Sequence, residues 1–146
     1  MTGVQYIGAD VPREDGREKS TGAARYATDF YPENALQVRI VRSHRPHARI
    51  RSIRTENALR VVGVETIVTG QDYPDFFWGT FIRDQTLFAV DKVRYVGQPV
   101  AALAGVDGDA LAEAGDLIEI EYEDLPAVFD PLDALSPKAP ILHEDL

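Results

Sequence analysis

Within residues 117–123, everything after Leu117 alternates between two kinds of side chain, with Ile118, Ile120 and Tyr122 on one parity and Glu119, Glu121 and Glu123 on the other. Successive strand residues point to opposite faces, so this period of two demands a strand with one wet face and excludes an amphipathic helix. Leu36, Val38 and Ile40 alternate in the same way with Gln37 and Arg39, which predicts a half-buried strand over 36–43.

Other elements follow from their boundary residues. A short strand is expected at 48–53, then Thr55 as N-cap of a two-turn helix carrying Ala58, Leu59 and Val62 and ended by Gly63, then a strand at 64–69. The same order returns with strands at 92–96 and 100–104, a helix capped by Asp107 or Asp109, running through Leu111 and Ala114 and closed by Gly115, and the strand at 117–123. Asp130 and Pro131 then start a short helix through Leu135. Two strand, strand, helix, strand runs predict an α+β (mixed α/β) fold, with a mixed sheet and short helices. Residue identities do not repeat between the runs, so no duplication is inferred.

Residues 8–34 are rich in glycine, proline and charge, and predict an extended N-terminal arm. The expected organisation is an arm at 1–34 and a domain at 35–146, one domain overall. Between the two runs, 71–86 is a long connection, of a length more often functional or partner-covered than idle.

Composition narrows the class. At 146 residues the chain is long enough for one self-supporting core, and 45% hydrophobic content argues against disorder. The 27% charged content with nine prolines and eleven glycines argues against a coiled coil or a collagen-like fibre. There is no cysteine, hence no disulfide, thiolate nucleophile or thiolate-bound cluster in this chain. Residues 1–7 lack the basic start and apolar run of a secretory signal, and the longest nearly unbroken apolar stretch, 99–104, is far shorter than the ~20 residues a bilayer requires. A cytoplasmic protein without a membrane span is expected.

Charge is uneven. Residues 1–60 carry eleven Lys/Arg against seven Asp/Glu, whereas 61–146 carry four against seventeen. Arg39, Arg42, Arg45, Arg49, Arg51, Arg54 and Arg60 face the single acid Glu56 within 39–60. Such a strip could bind phosphate or single-stranded RNA. The net charge of −9 and the lack of interleaved aromatics favour a salt-bridged internal or inter-subunit face instead.

Candidate catalytic groups are few. His44 and His47 could offer nitrogen ligands, but a catalytic zinc needs three, and Arg42, Arg45 and Arg49 oppose a dication there. Ser43 and His44 would point to opposite sides of a strand, so they make no nucleophile and base pair. Glu119, Glu121 and Glu123 are ~7 Å apart along one wet face, where nothing raises one pKa for acid catalysis. G-x-G-x-x-G, P-loop and G-x-S-x-G patterns do not occur. Tyr73, Phe76, Phe77, Trp78 and Phe81 concentrate aromatics in the long connection, where they are core if folded back and a partner or channel surface if exposed.

Five segments resemble one family in order and at natural spacing. They are 11–16 (VPREDG) through 19–26 (KSTGAARY) to Asp29, 42–50 (RSHRPHARI), 63–72 (GVETIVTGQD), 91–101 (DKVRYVGQPVA), and 118–127 (IEIEYEDLPA) with 130–135. Together they resemble the α/β-hammerhead domain of the molybdenum hydroxylase large subunit, the family of xanthine dehydrogenases and aldehyde oxidases. The resemblance implies part of an oxidoreductase that places the oxygen of water on a carbon of an aldehyde or N-heterocycle. It also implies that molybdopterin lies in an adjoining domain or subunit, with iron-sulfur clusters and flavin (FAD) elsewhere in the complex.

The catalytic glutamate and the glycine-rich, glutamine-bearing loop of that family belong to downstream domains, so no catalytic, cofactor-binding or metal residue is carried over to this chain. The role expected of the chain is a scaffold without catalysis alone, docked to the cofactor domains through Arg42, Arg45, His47, Arg49, Phe76, Phe77, Trp78, Gly97 and Gln98. Two rivals are an autonomous module for a phosphorylated ligand or RNA acting through 39–60, and a small hydrolase built on His47 and an acid of the second half.

Overall fold

A computed structural model describes Gly8 and residues 10–144. The expectation for residues 1–7 lies outside them. The chain divides into two compact units between Ala35 and Leu36. The first is not wholly extended: it carries α1 (Gly16–Thr21) and a 3-10 turn at Ala27–Asp29. An i,i+4 ion pair between Asp15 and Lys19 at 2.6 Å braces the helix, and the Arg25 guanidinium lies 4.8 Å from the centre of the Phe30 ring.

The second unit contains eight strands: β1 (Gln37–Arg42), β2 (Ala48–Arg54), β3 (Val64–Thr69), β4 (Phe77–Trp78), β5 (Gln85–Thr86), β6 (Lys92–Val93), β7 (Pro99–Gly105) and β8 (Glu119–Asp124). A helix, α2 (Gly108–Asp116), joins the last two. The α+β class stands, but the single mixed sheet gives way to three antiparallel ones, ordered β1-β7-β3, β6-β2-β8 and β4-β5. Each run's second strand is the centre of a sheet whose edges come from the other run: β7 between β1 and β3, β2 between β6 and β8. The two runs are therefore interlocked, and neither can close a sheet alone.

Two apolar clusters result. Ala48, Ala89, Val93 and Val100 pack with Ile50, Ile53, Ile120 and Tyr122, while Ala58, Leu103, Leu111 and Ala114 pack with Val41, Val61, Ile67 and Ile118. Strand β7 feeds both, through Val100 on one face and Leu103 on the other. Leu103, Leu111, Val93 and Val100 are the largest fully buried side chains, each contributing about 1.5–3 kcal/mol of transfer free energy.

Several local expectations shift. In β1 the inward residue is Val41, whereas Val38 remains 63% exposed. The cause is the partner strand. Arg39 pairs with Leu103 on the face covered by α2, where its side chain lies against Gly115, so the apolar parity of Val38 and Ile40 is turned away. The two-turn helix after Thr55 is only a 3-10 turn, Ala58–Arg60, because just Ala58 is fully buried while Val62 and Leu59 face solvent. Asp107 caps α2, accepting from the amides of Asp109 and Ala110 at 3.3 and 3.4 Å, an arrangement contributing about 1 kcal/mol. The helix runs past Gly115 to Asp116. The strand expected at 92–96 stops at Val93, and the helix expected near 130–135 is a 3-10 turn at Asp133–Leu135.

Candidate docking surface

The β2–β8 ladder decides the fate of the arginine strip. In register, Arg54 faces Glu119, Ile53 faces Ile120, Ile50 faces Tyr122 and Arg49 faces Glu123. The apolar residues go inward and the charges outward together. Arg54 binds Glu119 at 2.5 Å, Arg51 pairs with Glu123, Ser52 donates to Glu121 at 3.3 Å, and Arg45 reaches Asp124 at 3.3 Å. Three arginines of the positive strip, Arg45, Arg51 and Arg54, are thus paired with the acidic strand of the second half, which weakens the field a polyanion would need. Arg49 is exposed and makes no ion pair among the described residues.

Arg42, Gly97 and Gln98 come together at one end of β1. Arg42 Nη1 donates to the Gly97 carbonyl at 2.9 Å, the Gly97 amide donates to the Ser43 carbonyl at 2.7 Å, and the Ser43 amide donates to the Gln98 carbonyl at 2.9 Å. Gly97 has φ 90°, a left-handed conformation that a side chain would strain. Gln98 is buried and its Oε1 accepts the Arg94 amide at 2.7 Å. These contacts lock the β6–β7 turn against β1.

The histidines diverge. His44 stands edge-on to the Tyr122 ring, with centroids 5.6 Å apart, while His47 Nδ1 lies 2.6 Å from the Pro126 carbonyl oxygen. Among the described residues His47 has no carboxylate partner, and Asp124, the acid opposite Ala48 in the ladder, is paired with Arg45. That geometry counts against the hydrolase. Burial pushes the Tyr122 phenol above its usual range. Among the described residues no three His, Asp or Glu side chains converge to hold a metal ion.

The aromatics of the long connection are outside the core. Phe77 and Trp78 form one strand of the β4–β5 hairpin, paired with Thr86 and Gln85. Trp78 is 55% exposed and Phe81 98%, with Phe76 and Phe77 about half exposed beside them. A β-carbon on Gly79 would collide with the Ile82 carbonyl oxygen, so the tip of this hairpin requires glycine. Sequence reading missed a strap nearby. Buried Lys92 pairs with Glu144 at 3.2 Å, and Arg94 Nε donates to the Leu142 carbonyl at 2.9 Å. Nothing local marks these partners, about fifty residues apart, as neighbours.

The second unit is thus a cross-paired antiparallel α+β domain with the aromatics of its β4–β5 hairpin turned outward. Its family is specific. The chain belongs to the family described as aldehyde oxidase and xanthine dehydrogenase, a/b hammerhead domain, whose model matches residues 21–126. It is 40% identical over 134 residues to a probable xanthine dehydrogenase chain of Bacillus subtilis, covering 91% of this chain and 18% of that protein. It is 34% identical to the nicotinate dehydrogenase large molybdopterin subunit of Eubacterium barkeri, covering 97% of this chain and 33% of that one. Reconstituted CO dehydrogenase from Oligotropha carboxidovorans superposes with a TM-score of 0.87 at 34% identity, over 95% of this chain and 18% of that chain. The chain therefore spans a fifth to a third of the length of these proteins.

Proposed function

We propose that this chain is the structural head of the large subunit of a cytoplasmic molybdenum hydroxylase, docking against the molybdopterin-bearing portion and supplying no catalytic group of its own. The whole enzyme would oxidise an aldehyde or N-heterocycle with oxygen from water, passing electrons to iron-sulfur and flavin centres in other domains or subunits. The observation that carries this reading is the β4–β5 hairpin, whose exposed Phe76, Phe77, Trp78 and Phe81 form an apolar patch of the kind that marks a protein interface. The relatives named for molybdopterin and xanthine dehydrogenase support the cofactor and the reaction class. Arg42, Gly97 and Gln98 would set the adjoining turn rigidly, and exposed Arg49 would remain available to an acidic partner group.

The test is to replace Trp78 and Phe81 by serine and measure the yield of assembled enzyme beside the stability of this chain. Assembly is expected to fall at least about tenfold while the stability of the chain changes by less than about 0.5 kcal/mol. Normal assembly of the double variant would refute the docking role of the hairpin.

A further inference from the structure

Strand β1 is an edge of its sheet, paired with β7 on one side only among the described residues. Antiparallel pairing spends the amide and carbonyl of every second residue on the partner strand and turns those between to the free side. Two groups of bonds fix which are which. Ser43 donates to the Gln98 carbonyl and accepts from the Gly97 amide, so Val41 and Arg39, in step with it, bond to β7. Beyond the other end of the ladder the Val106 amide donates to the Gly63 carbonyl, which turns Ala104 and Ala102 toward β3 and leaves Leu103 and Ala101 for Arg39 and Val41. The peptide groups of Val38 and Ile40 therefore line an open edge. Their side chains are exposed as well, on the sheet face away from α2.

The other edges are guarded. Strand β3 is broken by a bulge at Glu65, β8 exposes Glu119, Glu121 and Glu123, and β6 is only two residues long. Strand β1 has no proline and no bulge of its own, since the irregularity beside Arg42 is an extra residue, Val100, on β7. A groove of about 400 Å³ follows this edge from Gln37 to Arg42, bounded by Gly108 and Leu111 of α2. A free, regular edge with apolar side chains is a template for another strand, and native proteins seldom leave one uncovered.

We propose that an extended segment of the cofactor-bearing remainder of the large chain adds to β1 as the fourth strand of the β1-β7-β3 sheet. Its side chains beside Val38 and Ile40 are apolar. The one beside Arg39 is a carboxylate, because Arg39 lies exposed along α2 next to Gly115 and makes no ion pair among the described residues. A second copy of β1 is a poorer occupant, since β1 paired antiparallel on itself brings Arg39 and Arg42 of the two copies together. The matched region is 18% of the probable xanthine dehydrogenase chain, which leaves most of such a subunit to supply the strand. The inference rests on the docking reading above, but it concerns a different surface and backbone hydrogen bonds that the hairpin does not supply.

Amide exchange read residue by residue tests it. In the 146-residue chain alone, Val38 and Ile40 should exchange at least about tenfold faster than Arg39 and Val41. In the assembled enzyme Val38 and Ile40 should slow by at least about tenfold, together with 76–81. Val38→Pro removes one outward donor and leaves every β1–β7 bond, so it should lower the yield of assembled enzyme at least about tenfold with little change in the unfolding midpoint of the chain. Val38→Ala keeps the amide and should assemble normally. Normal assembly of Val38→Pro, or an equal loss in Val38→Ala, would overturn the proposal. Should Val38→Pro not fold, the exchange pattern of the unmodified protein decides alone. Slowing at 76–81 without slowing at Val38 and Ile40 would overturn the added strand while leaving the docking reading intact, and slowing at neither would overturn both. Slowing in the isolated chain as its concentration rises would give the edge to a second copy and overturn the proposal.

Discussion

Arg54 donates from Nε and Nη2 to one carboxylate oxygen of Glu119, at 2.9 and 2.5 Å, across the β2–β8 ladder. The hydrogen bond to Glu119 and then that carboxylate's charge raise the guanidinium's affinity for its proton. With Arg51–Glu123 and Arg45–Asp124 beside it, this pairing matches three arginines of the basic segment with acids of the second half. The unmodified chain is predicted not to retain single-stranded RNA on a filter even at low salt, whereas the double variant Glu119→Gln, Glu123→Gln should show salt-dependent retention. Retention by the unmodified chain would mean that the arginines are free.

The buried side of the β1-β7-β3 sheet carries its stability. Leu103→Ala is predicted to cost about 2–5 kcal/mol in urea unfolding, because a fully buried side chain leaves a cavity between β7 and α2. Val38→Ala should cost no more than about 0.5 kcal/mol, since that side chain is 63% exposed. Equal costs would place the core on the wrong face.

Asp72 caps the turn at Gly70–Asp72, its carboxylate accepting from the Thr69 amide at 2.7 Å and the Thr69 hydroxyl at 2.9 Å. These bonds, the backbone one foremost, hold its pKa below the usual carboxylate value. The stabilisation is therefore fully present above the pKa of the unfolded chain's aspartate and is lost as pH falls through the lower folded value. Asp72→Asn should flatten the acid limb of the stability curve in that window, measured by denaturant midpoints against pH. An unchanged acid limb would contradict the cap.

Gly79→Ala should distort the hairpin tip, where the Ile82 carbonyl occupies the place of a β-carbon, without touching either apolar cluster. The expected result is an unfolding midpoint close to that of the parent chain together with loss of assembly into the large subunit. Retained assembly would show that hairpin geometry is irrelevant.

Much of the local structure was legible because period and capping are local signals. The alternation of Ile118, Ile120 and Tyr122 marks an inward face, and Asp107 marks a helix start, as found. The interlocking was not legible. Pairing of Arg39 with Leu103 is a relation between residues far apart, and it reversed the face that Leu36, Val38 and Ile40 suggest. The candidate docking residues were legible as types but not as states: one sequence pattern could not distinguish paired Arg45 from Arg49, which has no ion pair among the described residues, or buried His47 from exposed His44. The strap from Lys92 and Arg94 to 142–144 gave no periodic signal because it consists of a backbone carbonyl and one ion pair.

The central claim is that this chain packs against a molybdenum site it does not contain. Metal analysis and aldehyde-oxidation assays on the purified 146-residue polypeptide test it most directly. The account predicts no bound molybdenum and no turnover from the polypeptide alone, with both present in the assembled enzyme. Stoichiometric molybdenum or measurable turnover in the isolated polypeptide would contradict it.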